Sequence, residues 1–139
     1  MGLSSKIKYG SRLMIALSFS HPDNLVSVRR ISDFSGVSAK YLEQIIPELK
    51  DKGLLTSIQG KYGGYMLTKK PEDISLFDIY SAFSKKVLID KSIKDKGLEL
   101  DKLIWEDMED SLIEKMKSLS LEQLKNTFLK NKGVSDFQV

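Results

Sequence analysis

Lys40, Glu43 and Gln44 stand early in a run of polar and apolar residues at helical spacing, and their chemistry is hydrogen bonding to flat, edge-presenting partners. A glutamate carboxylate accepts from the exocyclic amine of cytosine, and a glutamine amide pairs bidentately with adenine. Each such pair is worth about 1–3 kcal/mol of discrimination between bases. Lys40 suits a phosphate as well as a base edge. Taken alone, such a helix reads first as an ordinary solvated surface, so the reading turns on what flanks it.

Bond-breaking chemistry finds no residues to carry it. The chain has no cysteine, which removes disulfides, thiolate zinc sites, cysteine nucleophiles and an all-cysteine iron–sulfur site together. The single histidine, His21, sits beside Pro22 and reads as a loop residue. No Ser-His-Asp or paired-carboxylate arrangement with a suitable base is present, so no catalytic residue, no metal ligand set and no cofactor is expected. Gly60, Gly63 and Gly64 lack the strand-to-helix context and the following Lys-Ser/Thr of a phosphate-binding loop. Glu106, Asp107, Glu109 and Asp110 read as the solvated face of a helix, and Trp105 as a residue buried near a helix–helix contact.

The elements that must position Lys40, Glu43 and Gln44 can be traced from the N-terminus. Ile7, Leu13, Met14, Ala16 and Leu17 predict a helix with a buried stripe over Lys6 to Ser20, ended by the His21-Pro22-Asp23-Asn24 loop. Ser27 caps a short helix from Val28 to Ser35 with Ile31 and Phe34 inward, and Gly36 breaks it. Ser38 caps the next helix, which runs to about Lys52 and buries Leu42, Ile45, Ile46 and Leu49. Pro47 lies inside that run and costs it one hydrogen bond. Two short extended segments, Leu54 to Ile58 and Tyr65 to Thr68, flank a glycine-rich turn and predict a β-hairpin.

Ser75 with Asp78 starts a further helix bearing Leu76, Ile79, Tyr80 and Phe83. Residues 84–99 are loosely patterned and read as a linker, a weak helix or a sensing segment. Leu100, Leu103, Ile104, Met108, Leu112, Ile113 and Met116 recur at steps of three and four, predicting one amphipathic helix of about 18 residues. Its apolar stripe needs cover, best supplied by the same helix of a second copy, which also sets two reading helices about one DNA turn apart. Ser120 with Gln123 opens a last short helix carrying Leu121, Leu124 and Phe128.

The fold class expected is therefore mainly α with a small β-hairpin, a winged helix-turn-helix followed by a long dimerisation helix. Its parts are residues 1–83 (DNA binding), 84–99 (linker or sensing segment) and 100–139 (dimerisation helix and closing helix). Charge agrees with that division. Residues 1–70 hold 11 Lys and Arg against 5 Asp and Glu, a balance of +6; residues 71–139 hold 11 against 14, or −3. A basic half joined to an acidic half suits a polyanion-binding domain attached to a module with another task. With no apolar run long enough to span a bilayer and no secretory pattern at the N-terminus, a cytoplasmic protein without membrane partners is expected.

Lys8-Tyr9-Gly10-Ser11-Arg12, Val37-Ser38-Ala39-Lys40-Tyr41-Leu42-Glu43-Gln44-Ile45, Lys52-Gly53-Leu54-Leu55 and Gly60-Lys61-Tyr62-Gly63-Gly64-Tyr65-Met66-Leu67 together resemble the Rrf family, the bacterial regulators grouped with IscR, NsrR and CymR. The resemblance is close over about residues 3–83 and looser beyond, at Leu103-Ile104-Trp105 and Leu119-Ser120-Leu121-Glu122-Gln123-Leu124. It implies a homodimer on a partly palindromic double-stranded DNA operator, usually repressing. By position it makes Glu43 and Gln44 base readers and Lys40 a neighbouring contact. Ser38 and Tyr41 complete the reading helix's part of the DNA-binding set. Tyr9 and Arg12 would fix the first helix on the DNA backbone or within the domain, and the Gly60, Gly63 and Gly64 turn would be the wing tip, flanked by Gln59 and Lys61. Leu100, Leu103, Ile104, Met108 and Leu112 would form the dimer face.

Two departures from the family pattern matter. Gln59 stands where many relatives carry an arginine able to enter a narrow minor groove. Residues 84–103, where cluster-binding relatives place three cysteines, contain none, so a cluster sensor of the usual kind is excluded. The signal is then left open between a small molecule near residues 84–105, a protein effector such as a metabolic enzyme, and no effector. A reading from another class is a winged-helix protein-interaction adaptor that has lost DNA binding; the +6 balance of the first 70 residues argues against it.

Overall fold

The computed structural model describes residues 3–90 and 97–132; residues 91–96 of the segment read as linker, and residues 133–139 of the part read as dimerisation and closing helices, lie outside these. Each of the first three helices begins on a serine. Ser4 caps α1 (Ser5–Ser18), Ser27 caps α2 (Val28–Ser35) and Ser38 caps α3 (Ala39–Asp51), and each hydroxyl accepts from a backbone N–H of the first turn. Such a cap satisfies a donor that the helix itself leaves unpaired. Between α2 and α3, Gly36 takes the left-handed conformation at φ 73°, which gives the tight turn its direction. The helix α3 continues through Pro47, whose ring is on the exposed side.

Strands β1 (Leu55–Ile58) and β2 (Gly64–Leu67) pair antiparallel, with Leu55 opposite Leu67 and Ile58 opposite Gly64. Val26 adds a single bridge to Tyr65, so the loop entering α2 is stitched to the hairpin. A 3-10 turn at Pro71–Asp73 leads to α4 (Leu76–Phe83), whose Ser75–Asp78 capping box is complete. Then come α5 (Leu98–Ser118) and α6 (Leu121–Lys132).

One core gathers Leu13 and Met14 of α1, Ile31 of α2, Leu42, Ile45 and Leu49 of α3, and Leu54, Ile74 and Ile79. Leu121 of α6 is fully buried in the same core, and its backbone N–H donates to the Ile74 carbonyl at 2.7 Å. Phe128 of α6 meets Phe19 and Phe34 at 5.7 and 5.9 Å between ring centroids. The closing helix thus returns to the domain that the first helices build. Lys6 of α1 donates to the Glu48 carboxylate of α3 at 2.6 Å, and this hydrogen bond, with the attraction of the opposite charge, raises the ammonium pKa above its ordinary value.

Two expectations from the sequence are corrected. Ile113 and Met116 do not share the free stripe of α5; Met116 is buried and Ile113 half-buried, while Leu100, Leu103, Ile104, Met108 and Leu112 remain exposed. The helix has two apolar faces because α4 covers one of them. The acidic cluster is likewise not uniformly solvated. Glu109 is only 4% exposed, and its carboxylate accepts from the backbone N–H groups of Leu88 and Ile89 at 3.0 and 2.7 Å. Those two donors have no strand or helix partner of their own, which accounts for a buried carboxylate there.

Candidate nucleic-acid interface

Helix α3 is presented by its own amphipathicity. Leu42, Ile45, Ile46 and Leu49 anchor α3 in the core, which leaves Lys40, Glu43 and Gln44 exposed one behind another on its outer side. Ser38 is exposed and occupied as the cap, accepting from the Tyr41 N–H at 3.2 Å. A cap that is itself within reach of solvent leaves its hydroxyl proton free to donate elsewhere.

Tyr9, Arg12 and Tyr41 form a cluster rather than three separate probes. The Tyr9 and Tyr41 rings meet edge to face at 5.4 Å and 86°, and the Arg12 guanidinium lies 5.0 Å above the Tyr9 ring. Arg12 also donates to the Ser35 carbonyl at 3.4 Å, at the end of α2. The arginine therefore spans α1 and the helix-turn-helix corner while staying exposed. Such stacking holds a guanidinium in place without neutralising it.

The wing is shaped by two glycines. A Cβ on Gly63 would overlap the Ile58 carbonyl oxygen, and one on Gly64 would press on the Val26 backbone, so neither position accepts a side chain as built. Gly60 closes the turn, accepting from the Gly63 N–H at 3.0 Å. Gln59 and Lys61 are exposed on either side of it, and the Lys61 ammonium lies 5.5 Å from the Tyr62 ring.

Three residues outside the sequence-based set belong to this surface. Arg29 and Arg30 are exposed in the first turn of α2, next to the Val26 bridge that ties this turn to the hairpin. Tyr62 at the wing tip is 84% exposed, and it shares a small polar groove with Arg30 and Asn24. The signal was legible: a basic pair follows directly on the Ser27 cap. Lys8, Arg12, Arg29, Arg30, Lys40 and Lys61 take part in no ion pair among the described residues. Cations left unpaired by their own protein keep their full attraction for a polyanion.

The dimerisation candidates occupy the outer side of α5. Leu103 is 85% exposed, and Leu100, Ile104, Met108 and Leu112 are also open; Trp105 beside them is exposed too, not buried within the chain as its type had suggested. Among the described residues no group of three or more His, Cys, Asp or Glu could hold a metal ion, and no helix is long and apolar enough to cross a membrane.

Comparison with known proteins places this geometry in context. Residues 3–127 match the model of the Rrf2 family, described as iron-dependent transcriptional regulators. The chain is 32% identical over 124 residues to the HTH-type transcriptional regulator CymR of Bacillus subtilis (strain 168), covering 89% of each chain. It is 29% identical over 141 residues to the regulator IscR of Pectobacterium carotovorum, covering 98% of this chain and 84% of that one. Among solved structures it is similar to CymR (YrzC), the global cysteine regulator of B. subtilis, with a TM-score of 0.77 and 31% identity over 91% of this chain and 98% of that one. T. potens IscR matches with the same TM-score at 29% identity, over 95% and 91% of the two chains.

Proposed function

Because this chain belongs to the Rrf2 family, we propose that it is a sequence-specific DNA-binding transcriptional regulator that acts as a homodimer on a palindromic operator, as a repressor in the cytoplasm. The observation that carries the reading is the exposed Lys40, Glu43 and Gln44 edge of α3, held out by a fully buried opposite face and set beside unpaired cations of α1, α2 and the wing. An α-helix fits the major groove, about 12 Å wide, and α3 is the helix whose outer edge carries base-edge chemistry.

Residues 1–83 bind the duplex, the outer face of α5 pairs with its copy, and α6 closes on the DNA-binding core. Glu43 and Gln44 read bases, Ser38 and Lys40 contact the backbone beside them, and the Tyr9–Arg12–Tyr41 cluster fixes α3 while offering Arg12 to a phosphate. Gln59, Lys61 and Tyr62 meet the adjoining groove, and Arg29 and Arg30 bind phosphate from the first turn of α2. Pairing α5 with its copy buries the apolar stripe and brings two copies of α3 into the two-fold relation that a palindrome mirrors.

Iron does not fit this chain in the family's usual manner. It offers no thiolate, and the buried carboxylate of Glu109 is already engaged by two backbone amides. No step is assigned to a metal, and regulation falls to a small-molecule or protein effector. A gel shift on genomic fragments around the chain's own gene, titrated with salt, tests the reading. Retarded fragments that survive competitor DNA support it, and indifference to every duplex at low ionic strength overturns it.

A further inference from the structure

A cleft of about 840 Å³ opens where α4, the residues after it and α5 meet, and Lys52, the C-terminal cap of the reading helix, lines it as well. Its apolar wall is Phe77, Tyr80 and Phe83 of α4, all half-buried, faced by Ile113 of α5. The segment after α4 is tied down on both sides. The Tyr80 hydroxyl donates to the Lys86 carbonyl at 2.8 Å, and Glu109 of α5 accepts from Leu88 and Ile89. Of the lysines lining the cleft, Lys86 pairs with Asp90 at 3.4 Å, whereas Lys52 and Lys85 are exposed and make no ion pair among the described residues. An aromatic wall beside two uncommitted ammonium groups, in a cleft of ligand size, has the chemistry of a site for an amphipathic anion.

We propose that this cleft binds a small aromatic carboxylate, its ring against Phe77, Tyr80 and Phe83 and its carboxylate between Lys52 and Lys85, and that occupancy changes operator affinity. The regulatory half rests on the DNA-binding reading above. The cleft touches both the cap of α3 and the covered face of α5, so a ligand there contacts the helix that reads DNA and the helix that sets the spacing between two readers. A ligand shifts such an arrangement only by binding one state better than the other, and bridging contacts to two elements supply that difference. The Glu109 carboxylate offers little surface to a cation in the cleft, being 4% exposed with one oxygen accepting from both the Leu88 and the Ile89 amide.

The test uses the full chain and naphthalene-2-carboxylate as probe, by calorimetric titration, with 2-naphthylmethylammonium as the matched cation. Saturable binding of one carboxylate per chain with a Kd below about 1 mM is expected, and at least about tenfold weaker binding of the cation. The double variant Lys52→Gln with Lys85→Gln, both surface changes, is expected to weaken the carboxylate about tenfold while unfolding at the wild-type temperature. No saturable carboxylate binding, equal binding of the cation, or wild-type affinity in the double variant overturns the site. Operator affinity, measured by fluorescence anisotropy in saturating carboxylate, is expected to change at least about threefold. An unchanged value overturns the regulatory half and leaves the site standing. Intact carboxylate binding by a chain that binds no duplex counts against the DNA-binding reading, not against the cleft.

Discussion

Gln44 and Lys61 are both exposed, yet the roles proposed for them differ, and the difference is measurable. Gln44→Ala removes a base-edge pair and is expected to cost about 1–3 kcal/mol on the specific operator while leaving random DNA nearly untouched. Equal loss on both DNAs in a competition anisotropy assay denies it a base-reading role. Lys61→Ala is expected to weaken all duplexes alike and to reduce the slope of log affinity against log salt by about one. Glu109 acts on stability instead. Glu109→Ala leaves the Leu88 and Ile89 amides without their acceptor and is expected to cost about 1–3 kcal/mol, with Glu109→Gln recovering part of it, read by urea unfolding at one fixed protein concentration. An alanine variant as stable as the parent means that the carboxylate is not holding the segment. The exposure of Lys40, Glu43 and Gln44 was legible from type and spacing. Glu109 was not, because its burial depends on backbone some twenty positions earlier that no local pattern announces.

Helix ends were the most legible elements of the chain. The serines at 27, 38 and 75 cap the helices that follow them as their positions predict, since the short hydroxyl side chain serves an unpaired N–H better than any helical alternative, whereas the Ser4 cap of α1 was not read from the sequence. Ser38→Ala is expected to lower stability by about 1 kcal/mol in thermal unfolding and to loosen the first turn of the reading helix. Operator affinity is then expected to fall further than for Ser75→Ala, the matched loss of a cap in α4, and equal losses would show that the cap of α3 has no special bearing on DNA. The helix α5 was only half legible. Periodicity identified its apolar residues but not which of them α4 covers, because a helix of this kind carries two stripes that differ only in what packs on them. Wing glycines were readable as a turn, whereas the reason for Gly63 and Gly64, close approach to Ile58 and Val26, appears only once the strands are paired.

For the molecule as a whole, the proposed dimer rests on the open stripe of α5. Leu103→Glu places a charge at the centre of that stripe and is expected to shift the chain toward monomer in sedimentation velocity, with operator affinity falling at least about tenfold. A variant that stays dimeric at low micromolar concentration assigns the dimer to another surface. The packing of α6 on α1 bears on the same question. Phe128 and Leu121 join the core built by the first helices, so α5 leaves that core after α4 and the chain re-enters it at α6. The C-terminal half of α5 is thereby held, through Glu109, Ile113 and Met116, while its N-terminal residues Leu100, Leu103 and Ile104 stay exposed.

Types, caps and periods along the chain determined the helices, the hairpin, the polar edge of α3 and the absence of thiolate chemistry, because each depends on residues within a turn or two of one another. Tertiary structure alone decided that Glu109 is buried, that Arg12 lies over Tyr9 beside the helix-turn-helix corner, and that a cleft joins the end of α3 to α5. Those outcomes arise from residues far apart in sequence brought together by the shared core, and no local spacing encodes such distances.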